Sequence, residues 1–457
     1  MIGWVRRATA GGLWRHADFM KLWIGQSISQ FGTPVSQLAL PWIAVKTLNA
    51  SPFAVAALGT VEFAPFLFFT LPAGVWVDRL PRRMVLIVGD LGRCIILLSV
   101  PIVWAFGGLT LAQLFIVGFL TGVLTVFFDV AYQSYLPFLV DREALVEGNS
   151  KLEVTRSSAQ IAGPALGGGL IQVLTAPYAV LADAISYVVS GGFLVAIRRT
   201  EHPVEQHADG RRTGMRQELA DGLRYVLGHR LLRAQAASTA TANFFWNLSF
   251  SILIVYAARN LDMSAGLVGI AFGLGSIGWL LGALAAPHMQ KRFGVGKATI
   301  YASLISGPSA LLVPLAPKSF PLPFLVLSGI LGGFGAVVYN IEQVSLRQAI
   351  TPERLQGRMN SVMRFLVWGA IPIGSLTGGA LATWIGLRPT LFLGGFAMLA
   401  VLPLVFSPIR TLQEMPLPEE ILPSVAAATG IAGPVTAGVD EAGALAGAGP
   451  AAVDDAT

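Results

Sequence analysis

Charge is scarce in this sequence. Only 12% of its 457 residues are Asp, Glu, Lys or Arg, while 54% are hydrophobic. A soluble chain of ordinary composition carries about 25% charged residues. The deficit closes if much of the surface faces lipid, which requires no charge. Cysteine is nearly absent: Cys94 is the only one, which excludes an intrachain disulfide and leaves the redox compartment open. The five histidines are scattered, with no H-x-x-x-H or Cys/His cluster, so a metal site has no support. No nucleophile–base pair and no phosphate-binding Walker sequence occurs. An enzyme is therefore the weakest reading, ATP hydrolysis supplies no energy, and no cofactor is expected. Gly273-Leu-Gly275-Ser-Ile-Gly278 fits G-x-G-x-x-G, but it lies inside an apolar run with no strand before it.

What is present is a series of long apolar runs. About 20 residues cross a hydrocarbon core as helix. Stretches of that order fall near 23–45, 53–77, 84–106, 109–131, 156–175 and 178–197. A second set falls near 235–257, 266–288, 297–316, 322–342, 360–385 and 388–408. The expected fold is therefore all-α, with twelve transmembrane helices in two six-helix bundles. The N-terminal run follows Arg6, Arg7, Arg15 and Lys21 like a signal peptide, but it exceeds the usual apolar core of about 7–15 residues. The 51 glycines and 27 prolines are tolerated inside such helices, and small residues let them approach closely.

The organisation that follows is a first bundle over 1–197, a cytoplasmic linker over 198–234, a second bundle over 235–410 and a disordered tail over 411–457. In the linker, Leu219, Leu223, Val226 and Leu227 share one helical face, which suggests an amphipathic helix on the membrane surface; a solvated linker without fixed structure is the alternative. The tail is rich in Ala, Gly and Pro and has no Lys or Arg.

Lys and Arg set the orientation. With the N-terminus cytoplasmic, only Lys46, Arg259, Lys318 and Arg388 fall in outer loops, Arg93 lies within a helix, and every other basic residue falls inside. Both termini are then cytoplasmic and the chain sits in the cell membrane. The same distribution removes nucleic acid as a partner, because the excess of +6 is spread over all the inner loops.

An internal repeat runs at an offset of 211. Phe128-Asp129 matches Tyr339-Asn340, Asn149-Ser150 matches Asn360-Ser361, and Gly163-x-x-x-Gly167-Gly168 matches Gly374-x-x-x-Gly378-Gly379. Two halves related in this way place a path between them near the bilayer midplane.

Gly74-Val-Trp-Val-Asp78-Arg79-Leu-Pro-Arg82-Arg83 joins the second and third runs. Gly74 would permit close helix contact, Asp78 can cap a helix or pair with an arginine, and the arginines can bond carbonyls, carboxylates or headgroups. This pattern resembles the signature loop of the major facilitator superfamily. Asp90 and Arg93, three apart on the next helix, can pair with one another or serve that loop. Gly163-Pro164-Ala-Leu-Gly167-Gly168-Gly169 resembles the glycine motif of the antiporter branches. Phe19 to Gln26, Leu40-Pro41-Trp42 and Ser345 to Asn360 resemble the permeases grouped with macrolide-efflux and enterobactin-exporter proteins. The resemblance implies a proton-driven exporter of the inner membrane. No arginine occurs between Thr110 and Ala131, so the proton-relay arginine of sister branches is missing.

Acids inside the membrane are functional candidates by default. Glu62 has no basic neighbour in sequence, and loss of water around it suits binding and release of a proton. Asp129 and Glu342 hold nearly matching positions in the repeat, near Arg142 and Arg347, and suit an inner gate or proton coupling. Asp183 reads as a tether between helices. Gln26, Gln30, Thr33 and Gln37 recur at helical spacing on the first helix, and Asn243, Trp246, Asn247 and Phe250 on the seventh. These stripes either line a cavity for an amphipathic molecule or bond neighbouring helices.

The function expected is secondary active, proton-coupled efflux of hydrophobic or amphipathic small molecules of drug, macrolide or siderophore type. The expected partners are the substrate, protons and the lipid bilayer, and the chain acts as a monomer. A facilitator or importer of a nutrient, and a non-transporting membrane receptor or scaffold, are the alternatives.

Overall fold

The computed structural model describes residues 12–77, 79–141, 144–199, 223–351 and 353–400, and among them there is helix but no strand. The expected tail over 411–457, most of the 198–234 linker, Asp78 and Arg142 lie outside the described residues. The first six long helices are α1 (Ala17–Trp42, continued by a π-turn over Ile43–Thr47), α2 (Pro52–Val77), α3 (Arg82–Ala105), α4 (Leu111–Leu139), α5 (Leu145–Leu174) and α6 (Ala176–Ala196). The rest are α7 (Arg230–Arg259), α8 (Ala265–Gly275), α9 (Ile277–Ser309), α10 (Leu312–Leu315), α11 (Leu322–Ile350), α12 (Glu353–Trp384) and α13 (Leu387–Ala400).

Among the described residues, eight segments are long and apolar enough to cross a membrane. One of them, Ala265–Leu315, is a run of 51 residues that turns back at Gly294, where φ is +77°. Only glycine enters that region without strain, so Gly294 divides α9 between two crossings. The twelve-span expectation counts those two crossings, the eight segments' remaining members, and α1, α5 and α13 besides.

Several helices outrun the apolar stretches read from sequence. The stretch near 156–175 is part of α5, which begins at Leu145 and has 30 residues, about 45 Å. The apolar run measures the hydrocarbon thickness, and the helix continues into polar surroundings through Glu147, Lys151, Glu153 and Arg156. α4, α11 and α12 extend in the same way at the end of the molecule that carries most of the arginines, here called the basic end.

Packing runs chiefly within α1–α6 and within α7–α13. α1 lies against α5 and α6, α3 against α4 and α6, α7 against α12, and α9 against α11. The sets are joined chiefly by α5 with α8 and by α2 with α12, with smaller contacts of α7 against α2, α1 and the π-turn.

The helix over residues 223–228 differs from expectation. Leu223 and Leu227 are exposed, whereas Tyr225 and Val226 are buried with Leu346, Ile350 and Met359. Tyr225 also donates to the carbonyl of Ile350 at 3.3 Å. The segment docks on the ends of α11 and α12 because an aromatic with a polar tip finds both an apolar seat and a carbonyl there.

Candidate functional site

The seams between the helix sets are built on glycine. On α5, a side chain at Gly168 would strike the Ala265 carbonyl of α8, while Gly163 and Gly167 seat α5 on Pro34 and Val35 of α1 within the first set. α8 answers with Gly269, which lies on the Pro164 carbonyl, and with Gly273, where an added Cβ would come to 2.7 Å from the Ile161 carbonyl. Pro164 thus serves the seam through its carbonyl. On the other side Gly379 of α12 meets Phe53 and Ala56 of α2. Farther along, the Phe63 and Trp368 rings meet edge to face at 5.9 Å.

Both seams lie toward the end opposite the basic one. Charged groups tie that end across the sets. Lys46 donates to the carbonyl of Ala258 at 2.8 Å, and Arg259 donates to those of Val45 and Ala50. One apolar cluster there takes residues from both sets, including Val45, Val55, Tyr256 and Met263. At the basic end the clusters are separate, one around Phe19 and Tyr135 and one around Val295 and Leu346. Gly74 accords with that separation. No described atom lies within 4 Å of where its side chain would begin, so the close contact expected of it is not made in this arrangement.

Arg83 caps the end of α6, and Arg82 bonds a carbonyl about one turn inside the end of α4. Arg82 donates to the carbonyl of Ser134 at 3.3 Å. Arg83 donates to those of Leu194 at 2.9 Å and Val195 at 2.6 Å. The last carbonyls of a helix lack internal partners and carry the negative end of its dipole, which suits a guanidinium. Arg79 is exposed.

Deeper in the first set, the structure gathers acids that sequence separates. Asp90 and Arg93 of α3, Asp129 of α4 and Asp183 of α6 form one cluster around Arg93. Arg93 donates to Asp90 at 2.6 Å and to the Gly89 carbonyl at 3.2 Å. Its guanidinium lies over the Phe128 ring at 4.3 Å and over the Tyr187 ring at 4.2 Å. Asp183 accepts from Ser186 at 3.2 Å, and Gly32 of α1 leaves room for both. Asp90 is 0% and Asp183 1% exposed, while Asp129 is half-buried and also feels Arg156. Three carboxyls thus share one central guanidinium. Sequence spacing shows only the Asp90–Arg93 pair, because the other partners arrive through tertiary packing.

The matching place in the second set is uncharged. Tyr339 shares a hydrogen bond with Thr239 at 2.8 Å and donates to Ser238 at 3.4 Å. Gln343 bonds Thr239 and Asn340 at 3.3 Å each. Glu342 is 1% exposed, and neither of its oxygens has a partner among the described residues.

Glu62 lies in the middle of α2, its side chain over Gly118 of α4. One of its oxygens is buried without a partner among the described residues. Gln26 departs from the cavity-lining expectation. It is 3% exposed and donates to Ser190 of α6 at 3.4 Å, because its position on α1 faces the α6 contact. Gln30 is half-buried and Gln37 exposed. Asn247 donates to the Asn243 carbonyl within α7 at 2.9 Å. Trp246 stacks on Phe250 at 6.2 Å and reaches Gly332 of α11.

Comparison with known proteins decides the family. Residues 10–426 match the family described as transmembrane secretion effector. The chain belongs to that family, within the major facilitator superfamily. It is 30% identical over 372 residues to the multidrug efflux pump Tap of Mycolicibacterium fortuitum, covering 79% of this chain and 88% of that one. It is 24% identical over 389 residues to macrolide efflux protein A of Streptococcus pyogenes, covering 84% and 94%. Among solved structures, a bacterial homologue of the iron transporter ferroportin in its inward-facing state shares the fold. Its TM-score is 0.65 at 18% identity, covering 85% of this chain and 98% of that chain. The chain is therefore a multi-pass membrane protein of a transporter family whose substrates are small molecules.

Proposed function

We propose that this protein exports hydrophobic or amphipathic small molecules in exchange for protons, by alternating access. The observation that carries the reading is the asymmetry of the two seams. The helix sets are locked by glycine contacts and cross-set hydrogen bonds at one end, and their buried apolar clusters are separate at the other. A rigid-body rock about the Phe63–Trp368 and Ile161–Gly273 contacts would reverse that asymmetry. The moving bodies are residues 1–197 and 235–410, joined by the 198–234 linker. With the basic end cytoplasmic, the arrangement described is open inward and both termini are cytoplasmic. The chain works as a monomer, since the two bodies supply the whole path, and it performs no bond chemistry.

Proton coupling is assigned to Asp129 and its cluster. Three carboxylates against one guanidinium, deep in a low-dielectric setting, carry a charge imbalance that bound protons relieve. Asp129 is the member that is only half-buried. Glu342, buried and without a described partner, is the second candidate. Drug and macrolide export by the named relatives supports the direction outward and the class of cargo.

The test is flux in proteoliposomes holding the purified protein and a fluorescent macrolide or dye. An imposed proton gradient should drive accumulation against the concentration gradient, and a protonophore should abolish it. Flux that ignores the gradient would indicate a facilitator. No substrate-dependent flux with any cargo would indicate a receptor or scaffold, and either result would overturn the proposal.

A further inference from the structure

Arg93 is the cation that Asp90, Asp129 and Asp183 share. Whatever fixes its guanidinium therefore sets how strongly each acid feels it. Two of its bonds are local, to Asp90 and to the Gly89 carbonyl on its own helix. Its flat face is held by rings from other helices, Phe128 of α4 at 4.3 Å and Tyr187 of α6 at 4.2 Å. The two rings are themselves held differently. Phe128 is kept in place by apolar packing, stacked on Tyr132 with centroids 6.0 Å apart. The Tyr187 hydroxyl lies 3.0 Å from the hydroxyl of Thr33 on α1. Thr33 gives its own proton to the Ser29 carbonyl at 3.1 Å. A hydroxyl has one proton to give, so Tyr187 donates to Thr33.

The packing of α1 on α6 fixes that bond. Gly25 of α1 lies against Phe193 and the Ser190 backbone, and Gly32 against Asp183 and Ser186. These close approaches fall on both sides of Tyr187 along α6 and set the distance between the helices. Tyr187 is 2% exposed, and a ring so enclosed has little room to turn. The charged groups around Arg93 are Asp90 of α3, Asp129 of α4 and Asp183 of α6, and Arg156 of α5 acts on Asp129. Among the described residues α1 brings no charge to this cluster. It reaches the guanidinium through the Tyr187 ring.

We infer that Tyr187 is a positioning residue for proton coupling: anchored by Thr33, its ring holds the Arg93 guanidinium against the three carboxyls. A cation over a ring face is attracted to it, and more strongly where water is excluded. Freeing the ring lets the guanidinium drift, and an acid that loses its cation keeps a proton to higher pH. A tyrosine that served folding alone would leave the pH response of transport where it was. This inference rests on the proton-coupling reading and deepens it.

The experiment measures the initial rate of gradient-driven flux against pH, in proteoliposomes of the purified full chain with a fluorescent macrolide as probe. Tyr187→Phe keeps the ring and loses its anchor, and Thr33→Val removes the anchor from the other side. Each should move the midpoint of the pH profile upward by at least about half a unit, with KM for the probe unchanged. The two changes combined should move it no further than one alone, because both remove the same bond. Thr33→Ser, which keeps the hydroxyl, should keep the native profile. A native profile for Tyr187→Phe would overturn the inference, as would additive shifts in the double variant or a change in KM alone. Should Tyr187→Phe fail to insert, identical profiles for Thr33→Val and Thr33→Ser would overturn it instead. Gradient-driven native flux whose profile every variant retains would leave the export reading standing and remove this one. Native flux with no pH dependence would remove both.

Discussion

Arg93 donates to Asp90 at 2.6 Å from three residues along the same helix, and side chains of three helices surround the pair. Asp90 comes from α3 with Arg93 itself, Phe128 and Asp129 from α4, Asp183 and Tyr187 from α6, and Gly32 of α1 makes room. Breaking a buried pair by removing one member strands the other charge, at a cost of about 3–5 kcal/mol. Arg93→Ala should therefore lower the unfolding temperature sharply, and Arg93→Ala combined with Asp90→Ala should recover part of the loss. Cys94, the only cysteine and buried, provides the reporter: a thiol-reactive fluorophore labels it as the first body opens. An unfolding curve for Arg93→Ala that matches the native curve would show that the cluster holds nothing together.

Asp129 should behave differently. Its counterpart in the repeat is Asn340, so an amide is accommodated at the matching place in the second set. Asp129→Asn should leave the protein inserted and thermally stable within about 1 kcal/mol, the ordinary range for a conservative change. It should abolish uphill, gradient-driven accumulation while downhill equilibration of cargo persists. Uphill transport at the native rate would transfer the coupling role to Glu342.

Much of this was legible in the sequence, and the reasons are physical. A bilayer imposes one length on every span, so apolar runs located the helices; they missed the extensions at the basic end because the thickness of lipid says nothing about helix beyond it. The glycine motif on α5 was readable because close packing demands small residues wherever it occurs. Gly32 was not, since its meaning depends on what faces it, which is Asp183 and Ser186 of α6. Gln26 looked like a cavity residue because its spacing marks a face without saying which neighbour that face meets. The acidic cluster was invisible for the same reason. Asp90, Asp129 and Asp183 are far apart along the chain, and only the packing of α3, α4 and α6 brings them to Arg93.

The glycine seam yields a prediction about the cycle. Gly168 lies on the backbone of Ala265 and Gly266, with no flexible side chain to give way. Gly168→Val would force α5 and α8 apart at the end now closed. The variant should populate the state open at that end, with at least a tenfold loss of flux, about 1.4 kcal/mol. The check is labelling of Ala265→Cys by an impermeant thiol reagent from outside intact cells, in a Cys94→Ser background. Labelling should rise with Gly168→Val, and labelling equal to that of the parent would show that the seam does not set the balance.

The start of α7 should respond to pH. His229 caps the helix by accepting the Leu232 amide at 3.4 Å through Nδ1, which requires that nitrogen to be unprotonated. The side chain is 5% exposed, and burial holds its pKa below the usual 6.5. The folded cap therefore binds fewer protons than the frayed one as pH falls through 6.5. Its contribution is fully present above that value and declines below it, until the folded form also protonates. Loss of an N-cap costs about 0.5–2 kcal/mol. Protease sensitivity near residues 223–229 should rise between pH 7 and pH 5, and His229→Asn, which caps without titrating, should flatten that dependence. Cleavage rates that change with pH equally in the native protein and in His229→Asn would assign the response to another group.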